Sequence, residues 1–119
     1  MSAEESPVDV DTLDMLRELA DEDNPDFFED IIQSYLGDAA NLMENLQQGA
    51  RSADVDLMAR SAHTLKSSSA NLGANDLAAL CANLERRARS EESLPDAQDV
   101  VAEIHRSLQL VLEFLANQI

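Results

Sequence analysis

The sequence predicts an all-α fold, an antiparallel up-down-up-down four-helix bundle with a short additional N-terminal helix. Apolar residues make up 45% of the 119 residues, yet aromatics are only 3%, and the β-branched and aromatic runs typical of strands are missing. The apolar residues instead recur at intervals of three and four, as on one face of a helix. The length suits one modest core, so residues 1–119 are interpreted as a single domain with 1–8 as a loose tail.

The first two helices are expected between residues 8 and 48. Residues 8–20 form a short amphipathic pattern that is expected to cover one end of the bundle, with apolar residues at Val10, Leu13, Leu16 and Leu19. Asn24 and Pro25 are a capping side chain and a proline at the first helical position, which predicts the start of the second helix. Its apolar pattern runs to about Gln48, and Gly49 is expected to end it.

The other three helices follow with short connections. Asp54 is the expected N-cap of a helix over about 54–72, and Gly73 is expected to stop it. The next helix begins at Asn75 or Asp76, and so short a connection requires the two helices to pack antiparallel. A polar linker over 90–95 precedes the last helix, which is expected over about 96–118.

The third helix carries the candidate site. Its buried stripe is expected to comprise Val55, Met58, Ala62, Leu65, Ser69 and Leu72. His63 lies off this stripe and is expected at the surface, with Lys66 one turn after it and Arg60 one turn before it. The residues stacked above and below the imidazole are small, which leaves room for another protein's surface: Ala59, Ser67 and Ala70. An exposed histidine with cations beside it suits a phosphoryl carrier.

The run from Ala62 to Ala74 resembles the signature of histidine-containing phosphotransfer (HPt) domains. That signature is His, any residue, Leu, Lys and usually Gly, with a further Gly ten residues after the His. The matching residues here are His63, Leu65, Lys66 and Gly73, while Ser67 stands where Gly is commonest. The resemblance continues into the next helix through Leu80-Cys81 and Leu84-Glu85.

HPt domains are four-helix bundles that pass a phosphoryl group between aspartates of receiver domains in two-component phosphorelays. The resemblance implies that His63 is the phosphoacceptor and that Lys66 stabilises the phosphoryl charge. It places Glu85 where many relatives carry a polar residue, often Gln, that bonds the imidazole, and Arg89 where a basic residue can flank the site. Arg60 and Ser67 are expected to support the site, and Gly73 to be structural.

The same resemblance implies the partners. They would be response-regulator receiver domains and a sensor histidine kinase, which can be a hybrid kinase. Mg²⁺ is expected in the receiver's acidic pocket, and no cofactor or metal is expected in this chain. The chain has no Gly-rich phosphate loop, so it is interpreted as a relay intermediate without kinase activity of its own.

Composition restricts the other functions. A formal net charge of −16 disfavours binding to nucleic acid and anionic membranes. No apolar run approaches the ~20 residues of a membrane span, the N-terminus does not resemble a signal peptide, and Cys81 alone cannot form an internal disulfide. A cytoplasmic protein is therefore expected. A monomer is expected because the helix faces are about as apolar as one bundle can bury. His105 has no lysine three residues after it and no small flanking residues, so it is interpreted as structural or incidental.

Two alternatives remain open from the sequence. A helical adaptor could dock receiver domains without being phosphorylated, since Ser67 replaces the commonest glycine and the chain is so acidic. A kinase dimerisation bundle also presents a histidine, but it would need an adjacent ATP-binding domain, for which residues 1–119 contain no sequence signal.

Overall fold

A computed structural model gives the structure of the protein and describes residues 6–90 and 93–119. That part of the chain is helical, without strands, and its helices are α1 (Val10–Glu18), α2 (Phe27–Ser52), α3 (Val55–Asn71), α4 (Asn75–Ser90) and α5 (Ala97–Ala116). α3 packs against α2 and α4, and α5 packs against the same two helices. The four long helices thus close into a bundle around one apolar core, and α1 lies against α2. The predicted all-α bundle with a short additional N-terminal helix is confirmed.

α1 is tied to the connection between α3 and α4. The Asp9 side chain caps α1 by accepting a hydrogen bond from the Asp11 amide, and the Asp9 amide donates to the Gly73 carbonyl at 2.8 Å. Val8, which was expected in a loose tail, is only 1% exposed and belongs to the core. Residues 1–5 of that tail lie outside the described residues.

Only part of the apolar stripe of α1 is buried. Leu13 is buried and Leu16 is partly buried against the core. Val10 and Leu19, the other two apolar residues of the predicted pattern, are exposed. A short helix lying across one end of a bundle contacts the core along only part of its length, which leaves its terminal apolar residues outside.

The end of α2 differs from the expectation at Gly49. The helix continues to Ser52, and Ala53 follows it in the left-handed conformation with φ 57°. Gly49 lies inside the helix, where a Cβ atom would be 2.7 Å from Cγ of Met58 and 3.2 Å from the Asp54 carbonyl oxygen. This glycine therefore allows α2 and the start of α3 to approach closely rather than ending the helix. At the other end, α2 begins after Asp26, and no side-chain hydrogen bond caps it.

α3 is bounded by the residues that the sequence indicated. Oδ1 of Asp54 accepts a hydrogen bond from the Leu57 amide at 3.0 Å, which caps the first turn. After Asn71 the chain turns through Gly73, whose φ of +86° lies in the left-handed region that favours glycine. A Cβ atom at Gly73 would also be 2.9 Å from Cβ of Thr12, so the glycine lets α1 reach this turn.

α4 and α5 are joined through an ion pair. The Arg87 guanidinium donates to both carboxylate oxygens of Asp96, at 3.1 and 2.7 Å. Residues 91–92 of the predicted linker lie outside the described residues, and Leu94 beyond them is buried. α5 buries Val101, Ile104, Leu108, Val111 and Leu115, whereas Ile119, beyond its end, is 46% exposed. Within residues 6–90 and 93–119, no helix has the length and apolar character needed to cross a bilayer.

Candidate functional site

The imidazole of His63 projects from the middle of α3 into solvent. Its side chain is 54% exposed, whereas Ala62 and Leu65 on the same helix are completely buried. The helical spacing produces this contrast, because residues on the apolar stripe face the bundle and His63 lies beside the stripe. The exposure predicted for His63 is therefore found in the structure.

Glu85 of α4 connects three side chains around this histidine. Its Oε2 lies 2.8 Å from Nδ1 of His63 and 3.1 Å from Nε of Arg89, while its Oε1 lies 2.6 Å from Nζ of Lys66. Glu85 is the least exposed member of this group, at 12% of its side chain. The antiparallel packing of α4 on α3 thus brings together four residues that the sequence singled out: His63, Lys66, Glu85 and Arg89.

The electrostatics of this cluster keep Glu85 ionised. The pKa of its carboxyl group is lowered from 4.5 to about 2, chiefly by the hydrogen bond from Lys66 and further by those from Arg89 and His63, against the opposing effect of burial. A carboxylate without a proton can only accept hydrogen bonds, so Nδ1 of His63 must be the donor. In the neutral ring Nε2 then carries a lone pair, as a nucleophile requires.

The surroundings of the imidazole match the sequence prediction at two of three small residues. Ser67 and Ala70 are exposed, but Ala59 is 3% exposed and was wrongly placed on the outer face. Arg60 is exposed one turn before His63, and its guanidinium forms no hydrogen bond or ion pair within the described ranges. The structure therefore does not join Arg60 to the Glu85 cluster.

The positive charge of the chain is concentrated on the two helices of the site. Five of the eight cationic side chains lie on α3 and α4, although the chain as a whole carries a net charge of −16. These five are Arg60, Lys66, Arg86, Arg87 and Arg89. This basic region on α3 and α4 includes three cations that lie one helical turn from His63 or Glu85, namely Arg60, Lys66 and Arg89.

A hollow away from the Glu85 cluster, and a buried hydrogen bond at its edge, were not predicted from the sequence. The hollow lies between α1, α2 and α3, and it is lined by Leu16, Ile31, Ser34, Tyr35, Asp38, Ser68, Asn71 and Leu72. Tyr35 and the completely buried Ser69 share a hydrogen bond of 2.8 Å between their hydroxyl oxygens. The signal in the sequence was a polar residue, Ser69, at a position on the apolar stripe of α3.

The second histidine of the chain has a different environment. His105 lies on α5, partly buried, with its Nε2 3.1 Å from Nε2 of Gln109. It has no contact with the Glu85 cluster among the hydrogen bonds of the described residues. Within the same residues, no group of three or more His, Cys, Asp or Glu side chains is placed to hold a metal ion.

Comparison with known proteins identifies relatives of this chain. Residues 30–114 match the family described as Hpt domain. The chain is 33% identical over 110 residues to histidine-containing phosphotransfer protein 4 of Arabidopsis thaliana, covering 87% of this chain and 86% of that protein. It is 28% identical over 112 residues to multistep phosphorelay regulator 1 of Schizosaccharomyces pombe, covering 90% of this chain but only 38% of that protein.

A solved structure has the same fold. The crystal structure of histidine-containing phosphotransfer protein B (HptB) from Pseudomonas aeruginosa PAO1 superposes with a TM-score of 0.86, covering 96% of this chain and 95% of that one. The two sequences are 23% identical, so this likeness shows the shared helical architecture.

Proposed function

This chain belongs to the Hpt domain family, and we propose that it is a phosphorelay protein that carries a phosphoryl group on His63. The observation that supports this proposal best is that the His63 imidazole is both exposed to solvent and held in one orientation. The His63 ring is open to solvent, while Glu85 accepts from its Nδ1 and leaves Nε2 unprotonated in the neutral ring. An ordinary surface histidine would have no such fixed partner.

The proposed reaction begins at a phosphorylated aspartate of a receiver domain. The Nε2 lone pair forms the N–P bond, the bond between phosphorus and the aspartyl oxygen breaks, and the receiver's carboxylate leaves with that electron pair. A second receiver reverses the step, because its aspartate oxygen attacks phosphorus and the N–P electron pair returns to Nε2. Such transfers depend mainly on positioning and on positive charge near the moving phosphoryl group.

Lys66 is proposed to supply that positive charge. Its ammonium is one helical turn from His63 and part of the same cluster, through Oε1 of Glu85. A lysine ammonium is a flexible point charge that can turn from a carboxylate to phosphoryl oxygens. Arg89 and the exposed Arg60 are proposed to add to the positive potential, and the small exposed Ser67 to leave the approach to the ring open.

The proposed partners are response-regulator receiver domains and a sensor histidine kinase. The basic region on α3 and α4 suits the acidic pocket of a receiver, which we propose also holds the Mg²⁺ of the reaction. A cytoplasmic monomer that binds neither nucleic acid nor membranes remains part of the proposal. An adaptor that docks receivers without being phosphorylated is less favoured, because docking alone gives no reason for the fixed orientation of the His63 ring.

A two-step transfer assay tests this function. The chain is incubated with a receiver domain already phosphorylated on its aspartate, separated from it, and then mixed with a second, unphosphorylated receiver. A relay protein gains one acid-labile phosphoryl group in the first step and loses it to the second receiver. An adaptor would bind the receivers in a pull-down but would gain no phosphoryl group from any of them.

A further inference from the structure

The two oxygens of the Glu85 carboxylate have different partners. Oε1 accepts from Lys66, whereas Oε2 accepts from Nδ1 of His63 and from Arg89. The proton on Nδ1 is therefore in direct contact with a negative charge, on the side of the ring opposite to Nε2. A hydrogen bond to an ionised acceptor is stronger than one to a neutral acceptor.

The Nδ1 proton determines the charge of the leaving ring once Nε2 carries a phosphoryl group. When neutral imidazole forms the N–P bond, the Nδ1 proton stays and the ring becomes positively charged. If the proton is still present when the phosphoryl group moves on, the ring leaves as neutral imidazole. If the proton has been lost, the ring must leave as the imidazolate anion, which is a much poorer leaving group. Retention of one proton thus decides how readily the N–P bond breaks.

We propose that Glu85 is a positioning residue that holds the Nδ1 proton of phosphorylated His63 and thereby keeps the phosphoryl group ready for onward transfer. The inference rests on the proposed function, since it concerns the phosphorylated state of His63. It assigns the effect to the charge of Glu85, because a neutral amide of the same shape could orient the ring but would hold the proton less strongly.

The other charged groups near the ring act against retention of this proton. Lys66 and Arg89 are cations that share the Glu85 carboxylate, and a positive neighbour favours the loss of a proton from a cationic ring. Arg60 on α3 is also positively charged. Glu85 is thus the anion in contact with Nδ1, and its low pKa keeps it ionised throughout the physiological range.

The packed neighbours of the site add no competing anion. Cys81 lies one turn before Glu85 on α4, where burial raises the pKa of its thiol to about 12 and keeps it neutral. The titratable side chains of α2 and α5 form no hydrogen bond or ion pair with His63 or Glu85 within residues 6–90 and 93–119. These side chains include Asp38, Glu44, Glu103 and His105.

The experiment measures how the lifetime of the phosphorylated protein depends on pH. Wild type, Glu85→Gln and Glu113→Gln are phosphorylated with phosphoramidate, a small donor that needs no partner protein. After the reagent is removed, intact mass follows the loss of the phosphoryl group to water between pH 5 and pH 10. Glu113 is a matched control, because it is an exposed carboxylate on α5 without a hydrogen bond or ion pair in the described part of the chain.

The rate of loss should be high in acid and fall once the phosphorylated ring loses its proton. For Glu85→Gln we expect the midpoint of this fall to move about one pH unit lower than in wild type. On the falling limb the variant should therefore keep its phosphoryl group roughly ten times longer. Glu113→Gln should follow the wild-type curve.

A background that carries Lys66→Gln and Arg89→Gln separates this effect from the release of those two cations in the Glu85→Gln variant. In that background no cation is left to be freed, and Glu85→Gln should still lower the midpoint. Coincident midpoints for wild type and Glu85→Gln would overturn the inference. So would a folded Glu85→Gln protein that accepts no phosphoryl group, because the amide should still orient the ring. If the wild type itself acquires no phosphoryl group on His63, the proposed function fails instead.

Discussion

Nζ of Lys66 lies 2.6 Å from Oε1 of Glu85, so a cation one helical turn from His63 on α3 is held by a residue of α4. The same carboxylate contacts His63 through its other oxygen. The site is therefore assembled by the packing of two helices, and it depends on both of them being folded. Single substitutions can separate the chemical roles of these residues from their roles in stability.

Replacement of Lys66 should slow phosphoryl transfer without unfolding the protein. We expect Lys66→Gln to accept a phosphoryl group from a phosphorylated receiver roughly ten times more slowly, because a positive charge near the phosphoryl oxygens is removed. Single-turnover transfer measured by intact mass gives the rate. Arg106→Gln is the matched control, since it removes a positive charge from the exposed surface of α5. Equal rates for the two variants would contradict the role given to Lys66.

The Glu85 cluster should contribute stability that depends on pH. Because folding lowers the pKa of Glu85 from 4.5 to about 2, this contribution is present above pH 4.5 and is lost as the pH falls towards 2. At pH 7 we expect the free energy of unfolding of Glu85→Gln to be of the order of 1 kcal/mol below wild type, since solvent screens the ion pairs. Urea unfolding followed by circular dichroism should show this gap narrowing at low pH. A gap that is constant from pH 7 to pH 2.5 would be inconsistent with the cluster.

The two glycines within α2 should respond oppositely to alanine. Gly49→Ala places a methyl group 2.7 Å from Cγ of the buried Met58, and we expect a loss of about 1–3 kcal/mol in the free energy of unfolding. Gly37 is exposed, and nothing lies within 4 Å of the place that a methyl group would take, so Gly37→Ala should stabilise the helix by about 0.5–1 kcal/mol. Thermal unfolding of both variants tests this. A neutral or stabilising Gly49→Ala would show that the helices do not approach so closely.

The hydrogen-bonded hydroxyl groups of Tyr35 and Ser69 should stabilise the fold jointly. Replacing both residues should therefore cost less free energy of unfolding than the sum of the two single replacements. Tyr35→Phe removes the partner of a completely buried hydroxyl group, and we expect a loss of about 1–3 kcal/mol. Ser69→Ala in the same background should recover part of this loss, because no unpaired hydroxyl group remains. A double-mutant cycle in urea measures the coupling. Strictly additive effects of the two substitutions would argue against the hydrogen bond.

The sequence predicted those features that depend on residues close together in the chain. The spacing of apolar residues predicted the long helices, and the position of His63 beside the α3 stripe predicted its exposure. The short connection through Gly73 predicted that α4 returns along α3, which is the reason that Glu85 can reach His63. The resemblance to HPt domains indicated that Glu85 is the residue that bonds the imidazole.

The features that the sequence did not predict depend on contacts between distant segments. A glycine near the end of an apolar stripe looks like a helix stop, and only the approach of Met58 shows that Gly49 belongs inside α2. Val8 is buried because its backbone neighbour Asp9 bonds to the turn at Gly73, which is far away along the chain. Local spacing carries no information about either contact.

The most direct test of the central claim compares the two histidines of the chain. Wild type, His63→Gln and His105→Gln are incubated with a phosphorylated receiver domain, and intact mass is recorded before and after acid treatment. We predict one acid-labile phosphoryl group on wild type and on His105→Gln, and none on His63→Gln, with unchanged helical circular dichroism for all three. A phosphoryl group that persists on His63→Gln, or one that is lost with His105, would contradict the assignment of His63 as the phosphoacceptor.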